Sequence, residues 1–160
     1  MNPFNISSYA INNGIDIRIF RPLSNLYKLD EDIVDKNFSQ IVYGSVEHAY
    51  QSAKLIDAID RTRFILTCGT GNNDSYYGMS ALKAGKKLPN VRSDWDKVKL
   101  EIMEYYVRLK FQQIRFKDFL ISTGNLHIYE NGHSFWGVPG LNHMGKILMK
   151  VRKEINESNT

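Results

Sequence analysis

The stretch from Ser45 to Leu55 constrains this chain more than any other. Val46, Ala49, Tyr50, Ala53 and Ile56 recur at helical spacing and define one apolar face. Glu47, Gln51 and Lys54 fall one above the next on another face, so a carboxylate, an amide and an ammonium share one edge. Ser45 has the chemistry of an N-cap, which puts Glu47 in the first turn. The positive helix end favours the ionised carboxylate there. Such an anion suits two tasks, steadying a developing cation or orienting a water. An ordinary amphipathic surface helix with a charged edge fits the same residues.

Around that helix the pattern predicts a mixture of helices and short strands. Residues 1–14 are polar and end in the turn signal Asn12-Asn13-Gly14. Ile15 to Phe20 alternates as a strand, closed by Pro22, and Phe38 to Tyr43 reads as a second strand able to pair with it. The acidic segment between, Leu29 to Asn37, is expected to be a solvated loop. A short helix is expected over Asp60 to Thr67, then a loop from Gly69 to Asp74, then a helix capped by Asp74 and ended by Gly85. The basic loop Lys86 to Pro89 follows. Ser93 or Asp94 opens the longest helix, Trp95 to Ile114, with one apolar face of Trp95, Val98, Ile102, Tyr106 and Leu109. Leu100, Met103, Val107, Phe111 and Ile114 make a second face, which places this helix between two layers. A helix over Phe116 to Ile121, a strand over Leu126 to Tyr129, an aromatic loop from Ser134 to Gly140 and a helix from His143 to Ile155 complete the chain, with residues 156–160 expected to fray.

With 160 residues the chain suits one domain, 1–160, with a real core, and 42% hydrophobic and 24% charged residues are ordinary for a globular protein. No apolar run reaches the roughly 20 residues of a membrane helix, and no signal peptide is legible, so a membrane partner is not expected. The lone Cys68, read as buried filler, agrees with a cytoplasmic location. Net charge +4 and a pI of about 9.1 favour anionic ligands such as phosphates without demanding nucleic acid.

Four further features bear on chemistry. Gly69-Thr70-Gly71 imitates a dinucleotide fingerprint but lacks its third glycine and a preceding strand. Gly140 to Ile147 has the glycine and lysine spacing of a phosphate loop, but Ile147 stands where Mg²⁺ needs a hydroxyl, which excludes a nucleotide triphosphatase. Exposed amides at that helix start, with Lys146, remain able to receive a phosphate, and a glycine turn beside a solvent lysine is the alternative. His48, His127, His133 and His143 show no ligand pair on one helix face, so no metal and no cofactor are expected. His48 points about a quarter turn from Glu47, as a partner of core backbone. Trp95 and Trp136 each flank a helix start, where an indole stacks on a base or fills a core.

These pieces together resemble the NADAR superfamily, the YbiA-like proteins, from about Ile19 to Arg152. The marks are Leu23-Ser24-Asn25-Leu26; Ser45-Val46-Glu47-His48 with Gln51 and Lys54; Arg92-Ser93-Asp94-Trp95 with Val98, Lys99, Met103, Lys110 and Phe111; and Phe135-Trp136-Gly137 with Gly140, Asn142, Gly145, Leu148, Met149 and Arg152. The resemblance implies an α+β, mainly α-helical single domain with a few short strands. It also implies an N-glycosidase, a hydrolase that cleaves between ribose C1′ and a base nitrogen. Known substrates of such proteins include phosphorylated ribosylamino-pyrimidine intermediates of riboflavin synthesis and ADP-ribose on guanine.

Carried over by residue, Glu47 matches the family's essential carboxylate and Trp95 its conserved tryptophan, with His133 in the place of a second acid. The substrate-binding positions implied are Ser24, Asn25, His48, Gln51, Lys54, Arg92, Trp136, Gly137, Asn142, Gly145 and Lys146. His133 and Leu141 depart from the family's usual acid and lysine; His133, or Glu130 nearby, would have to replace the acid. The expected partner is a phosphorylated ribosyl or ADP-ribosyl small molecule, with ADP-ribosylated DNA as a further candidate. The alternative is a non-catalytic binder of ADP-ribose or an NAD derivative. Substrate identity and oligomeric state have no readable code.

Overall fold

A computed structural model describes residues 4–5, 11–12, 15–16, 21–130 and 132–159. The protein has the expected α+β, mainly helical architecture. In chain order the elements are β1 (Phe4–Asn5), β2 (Ile11–Asn12), β3 (Ile15–Asp16), β4 (Ile33–Val34), β5 (Val42–Tyr43), α1 (Val46–Ser52), α2 (Ala58–Cys68), a 3-10 turn (Asp74–Tyr76), α3 (Met79–Gly85), α4 (Trp95–Lys110), α5 (Ile114–Ser122), β6 (Ile128–Tyr129) and α6 (His143–Ser158). They group into two compact units, one of residues 25–110 and one of residues 1–24 with 111–160.

In the 25–110 unit, α1 is the central element. Ser45 caps it from an extended backbone, its hydroxyl accepting from the His48 amide at 3.1 Å. All seven residues of α1 are buried, against α2, α3, α4 and β5. The alternative of a surface helix with a charged edge is therefore not what forms, and Glu47 and Gln51 lie inside. The helix ends at Ser52, so Ile56 leaves the apolar stripe and is 69% exposed. On α2, capped by Asp57, Phe64 packs with Leu55 and Ala81, and half-buried Cys68 lies against that cluster.

The acidic segment from Leu29 to Asn37 is not a solvated loop. Leu29, Ile33 and Asp35 are buried, and β4 pairs antiparallel with β5 in the register Ile33↔Tyr43 and Val34↔Val42. The second strand is thus shorter than Phe38 to Tyr43, and its partner is a near neighbour in sequence, which costs less loop-closure entropy. Within the first predicted strand, Ile15–Asp16 pairs with β2, and residues 17–20 lie outside the described residues, as do Asn13 and Gly14. Asp35 is stabilised inside by the Arg61 guanidinium at 2.8 Å, the amides of Asn37 and Phe38 at 2.8 and 2.9 Å, and the Tyr43 hydroxyl at 2.5 Å. Tyr43 also bonds Ser52 Oγ at 2.9 Å, tying this network to the end of α1.

Asn73, not Asp74, caps the 3-10 turn, and α3 starts only after Gly78. The long helix α4 stops at Lys110, four residues early. Ile114, assigned to its second face, is 78% exposed at the start of α5, and Leu100 is exposed as well. Met103, Tyr106 and Val107 form the buried face of α4.

In the other unit, β6 pairs in parallel with β1, and α6 packs on β6 and α5. Helix α6 runs through Ser158, three residues beyond the expected end, so residues 156–158 are helical rather than frayed. Met144, Ile147, Leu148 and Val151 face inward, and Arg152 donates to Thr123 Oγ1 at 2.7 Å and to the Leu126 carbonyl at 2.9 Å. No helix among the described residues is long and apolar enough to cross a membrane.

Asp35→Ala is expected to cost about 3–5 kcal/mol, because it leaves the Arg61 guanidinium, two amides and a phenol unpaired inside. Arg61→Met is expected to cost less, since three donors still hold Asp35. Urea denaturation of both variants checks the order.

Candidate functional site

The 25–110 unit gathers Asn25, Glu47, His48, Gln51, Lys54, Arg92 and Trp95 of the predicted residues. The α1 backbone starts beneath residues 25–26: the Glu47 amide donates to the Asn25 carbonyl at 3.1 Å, and the Gly78 amide donates to the Leu26 carbonyl at 2.8 Å. Gly78 permits this approach. A Cβ there would stand 2.8 Å from Ser45 Oγ, 2.9 Å from Glu47 Cβ and 3.1 Å from Leu26 Cα. Asn25 Nδ2 lies 3.4 Å from Met103 Sδ, which anchors it to α4.

One turn along α1, Gln51 Nε2 donates to Glu47 Oε1 at 2.6 Å. Lys54, just past the helix, donates from Nζ to the Gly85 carbonyl at 3.3 Å and lies 5.9 Å from the Trp95 ring centroid. Trp95 packs at 4.9 Å against Tyr50, tilted by 54°. The Arg92 amide donates to the Lys54 carbonyl at 2.8 Å, and the Arg92 guanidinium grips Asp94 through two bonds of 2.6 and 3.0 Å. Lys54 faces Trp95, and its charge acts on the Glu47 carboxyl.

Burial acts on Glu47 in the direction opposite to the one the positive helix end favours. Glu47 is 7% exposed, and burial pushes its carboxyl above the usual glutamate range. The Gln51 hydrogen bond, then the Lys54 and Lys86 ammoniums, pull it back down. Desolvation outweighs the helix end because it acts on the whole charge, whereas the dipole of so short a helix is small. Lys54 is pushed down by burial, with Glu47 opposing. His48 is also pushed down by burial, with the Gly69 carbonyl opposing. That carbonyl, 2.9 Å from Nε2, is an acceptor only, so Nε2 carries the proton and Nδ1, at 2.8 Å, accepts from the Ser45 hydroxyl. Both ring nitrogens are thus engaged with the fold, as the quarter-turn argument for His48 anticipated.

The second unit holds Ser24, His133, Trp136, Gly137, Asn142, Gly145 and Lys146. The Ser24 amide donates to the Arg21 carbonyl at 2.8 Å. Trp136 meets Phe135 edge-on at 4.7 Å, and Phe135 meets His143 at 4.5 Å. His133 and Lys146 are exposed. Asn142 holds the left-handed backbone at φ 50° before α6, with Nδ2 donating to the Ile128 carbonyl at 3.0 Å and Oδ1 accepting from the Glu130 amide at 3.3 Å. A Cβ on Gly137 would strike the Glu130 carbonyl, and one on Gly145 the Ile128 carbonyl. These three residues close the loop onto β6.

The phosphate-receiving amides expected before α6 are already spent. Leu141, Asn142, His143 and Met144 donate to the carbonyls of Ser134, Gly137, Phe135 and Trp136 at 3.0 to 3.2 Å. The glycine-rich spacing serves a folded-back loop, which corrects the anion-cradle expectation. Among the described residues no group of three His, Cys, Asp or Glu side chains is placed to hold a metal.

Sequence reasoning passed over Gly78, Gly85, Lys86 and Tyr50 as parts of this site. Gly85 read as a helix end and Lys86 as loop charge; only the packing of α3 on α1 gives them a role.

The NADAR domain model matches residues 18–156. An N-glycosidase from Nostoc punctiforme is 33% identical over 120 residues, covering 71% of this chain and 74% of that protein. The maize chloroplastic riboflavin biosynthesis protein PYRR is 29% identical over 149 residues, covering 86% of this chain, which spans only 24% of that relative's length. In fold, the NMR structure of Escherichia coli YbiA matches with a TM-score of 0.64 at 19% identity, over 99% of this chain and 89% of that one. The family match over residues 18–156, with a relative 33% identical over 71% of the chain, leads to one conclusion: this chain belongs to the NADAR domain family.

Proposed function

We propose that this protein is an N-glycosidase, a hydrolase that cleaves the bond between ribose C1′ and a base nitrogen in a phosphorylated ribosyl or ADP-ribosyl compound. The observation that carries this reading is the buried Glu47 carboxyl, bonded to Gln51 and attended by Lys54, with Trp95 beyond the ammonium. The Nostoc relative's name as an N-glycosidase and the maize relative's name in riboflavin biosynthesis support the same class of chemistry.

As the bond to the base stretches, its electron pair leaves with the nitrogen and C1′ gains cationic character. A carboxylate fixed nearby in a site of low dielectric stabilises that charge. Water then bonds to C1′ and gives a proton to Glu47, whose affinity for protons burial raises. The departing base takes up a proton from solvent. Trp95 offers a face for the base, Lys54 a charge for phosphate and Asn25 a partner for ribose hydroxyls. Arg92 is held by Asp94, so it serves phosphate only by sharing or exchanging that partner.

The protein acts as one domain over 1–160, in the cytoplasm, on a small molecule. A second reading, a non-catalytic ADP-ribose or NAD-derivative binder, is favoured by His133 and by the exposed Leu141, which stand where the family usually has an acid and often a lysine. ADP-ribosylated DNA remains a candidate substrate. Chromatography after incubation with riboflavin precursors, NAD, ADP-ribose and ADP-ribosylated DNA separates these: ligand binding by calorimetry with no base release supports the second reading.

Glu47→Gln is expected to lower base release by about 10²–10³-fold or more, by analogy with the loss of one electrostatic stabiliser, while ligand binding persists. Unchanged turnover would remove Glu47 from the chemistry. The same variant should melt no lower than the parent at neutral pH. A raised carboxyl favours the folded state fully below its unfolded value, and that contribution is lost as pH rises through the folded value. The acid limb of kcat/KM should accordingly lie above the ordinary glutamate range, with activity lost as pH falls through it. Trp95→Ala should weaken substrate binding by about 1–3 kcal/mol, the worth of one stacked base, measured by calorimetry.

A further inference from the structure

Gln51 stands in an arrangement that packing alone does not require. It is 3% exposed, and its Nε2 makes the 2.6 Å bond to Glu47 Oε1. Its other end, Oε1, is buried and has no hydrogen-bond partner among the described residues. A buried acceptor without a donor is uncommon and costly, so the fold gains something by leaving it so. The neighbour that fixes this end is Gly85: a Cβ there would collide with Gln51 Oε1 and stand 2.9 Å from Gln51 Cβ. Because the Gly85 backbone fills that side, no ligand group reaches Oε1 from there. Turning the amide over would set two oxygen acceptors against each other at Glu47.

We propose that Gln51 is a positioning residue for Glu47 and not a substrate ligand: its amide, seated against the Cα of Gly85, donates to the carboxylate and fixes its orientation. Gln51 then favours the charged form of Glu47, which burial disfavours. Its short bond to an anion is of the stronger, charge-assisted kind. The charged groups that act on Glu47 besides this are Lys54, next to α1, and Lys86, which caps α3. Elsewhere around α1, Arg61 of α2 is paired with Asp35, to which Tyr43 of β5 also donates. Arg92, ahead of α4, is paired with Asp94. His48, on α1 itself, is bonded to Gly69 and Ser45. None of these substitutes for the amide.

The inference rests on the N-glycosidase reading for its purpose but not for its test. The Glu47 carboxyl is titrated by ¹³C NMR in protein labelled at glutamate, with Glu47→Gln assigning the signal. Gln51→Met, which keeps the length and removes the donor, is expected to raise the titration midpoint by about one pH unit, the loss of one hydrogen bond to the charged form. Gly85→Ala, which displaces the amide and leaves Gln51 in place, is expected to shift it in the same direction. A midpoint unmoved in either folded variant overturns the proposal. No substrate enters this experiment, so failure of the wild-type protein to release any base would sink the enzymatic reading alone. Where base release is measured, the acid limb of kcat/KM should move with the midpoint while KM holds. A raised KM with kcat and the midpoint unchanged would make Gln51 a substrate contact and overturn the proposal.

Discussion

The desolvation of one carboxyl organises the 25–110 unit. Glu47 lies on a helix buried on every side, and an isolated carboxylate in such a place is costly. The structure offsets that cost with one amide and two ammoniums rather than a full ring of donors. Each compensating group comes from a different place: Gln51 from the next turn of α1, Lys54 from the segment after it, and Lys86 from the end of α3. They converge only because Gly78 and Gly85 let residues 25–26 and α3 approach α1 at backbone distance.

A second buried acid in the same unit makes the contrast clear. Asp35 accepts from a guanidinium, two backbone amides and a phenol, so its oxygens are saturated. That carboxylate is a structural joint between the β4–β5 hairpin, α2 and the end of α1. Among the described residues Glu47 has one short bond, from Gln51, and two ammoniums that act on it. The two buried acids differ in how many donors meet them, not in burial.

Much of this was legible in the chain. The Ser45 cap, the turn spacing of Glu47 and Gln51, the start of α4 at Trp95 and the inward face of α6 follow from local periodicity and cap chemistry. The failures share a cause. Leu29 to Asn37 read as solvated because its acids were counted without Arg61, which lies 26 residues from Asp35. The glycines before α6 read as an anion cradle because spacing does not reveal where amides point; here they point at the carbonyls of residues 134–137.

The sequence by itself determined where most helices lie, the Ser45 cap and the turn spacing of Glu47 and Gln51, because these depend on neighbours within a turn or two. It also carried the family, through four separated motifs in a fixed order. Only the tertiary structure decided that Glu47 is buried, that His48 is consumed by Ser45 and Gly69, and that Gly85 seats the Gln51 amide. Those facts depend on solvent exclusion and on contacts between distant segments, and a carboxyl's charge state follows the water and dipoles around it, which no local pattern of residues records.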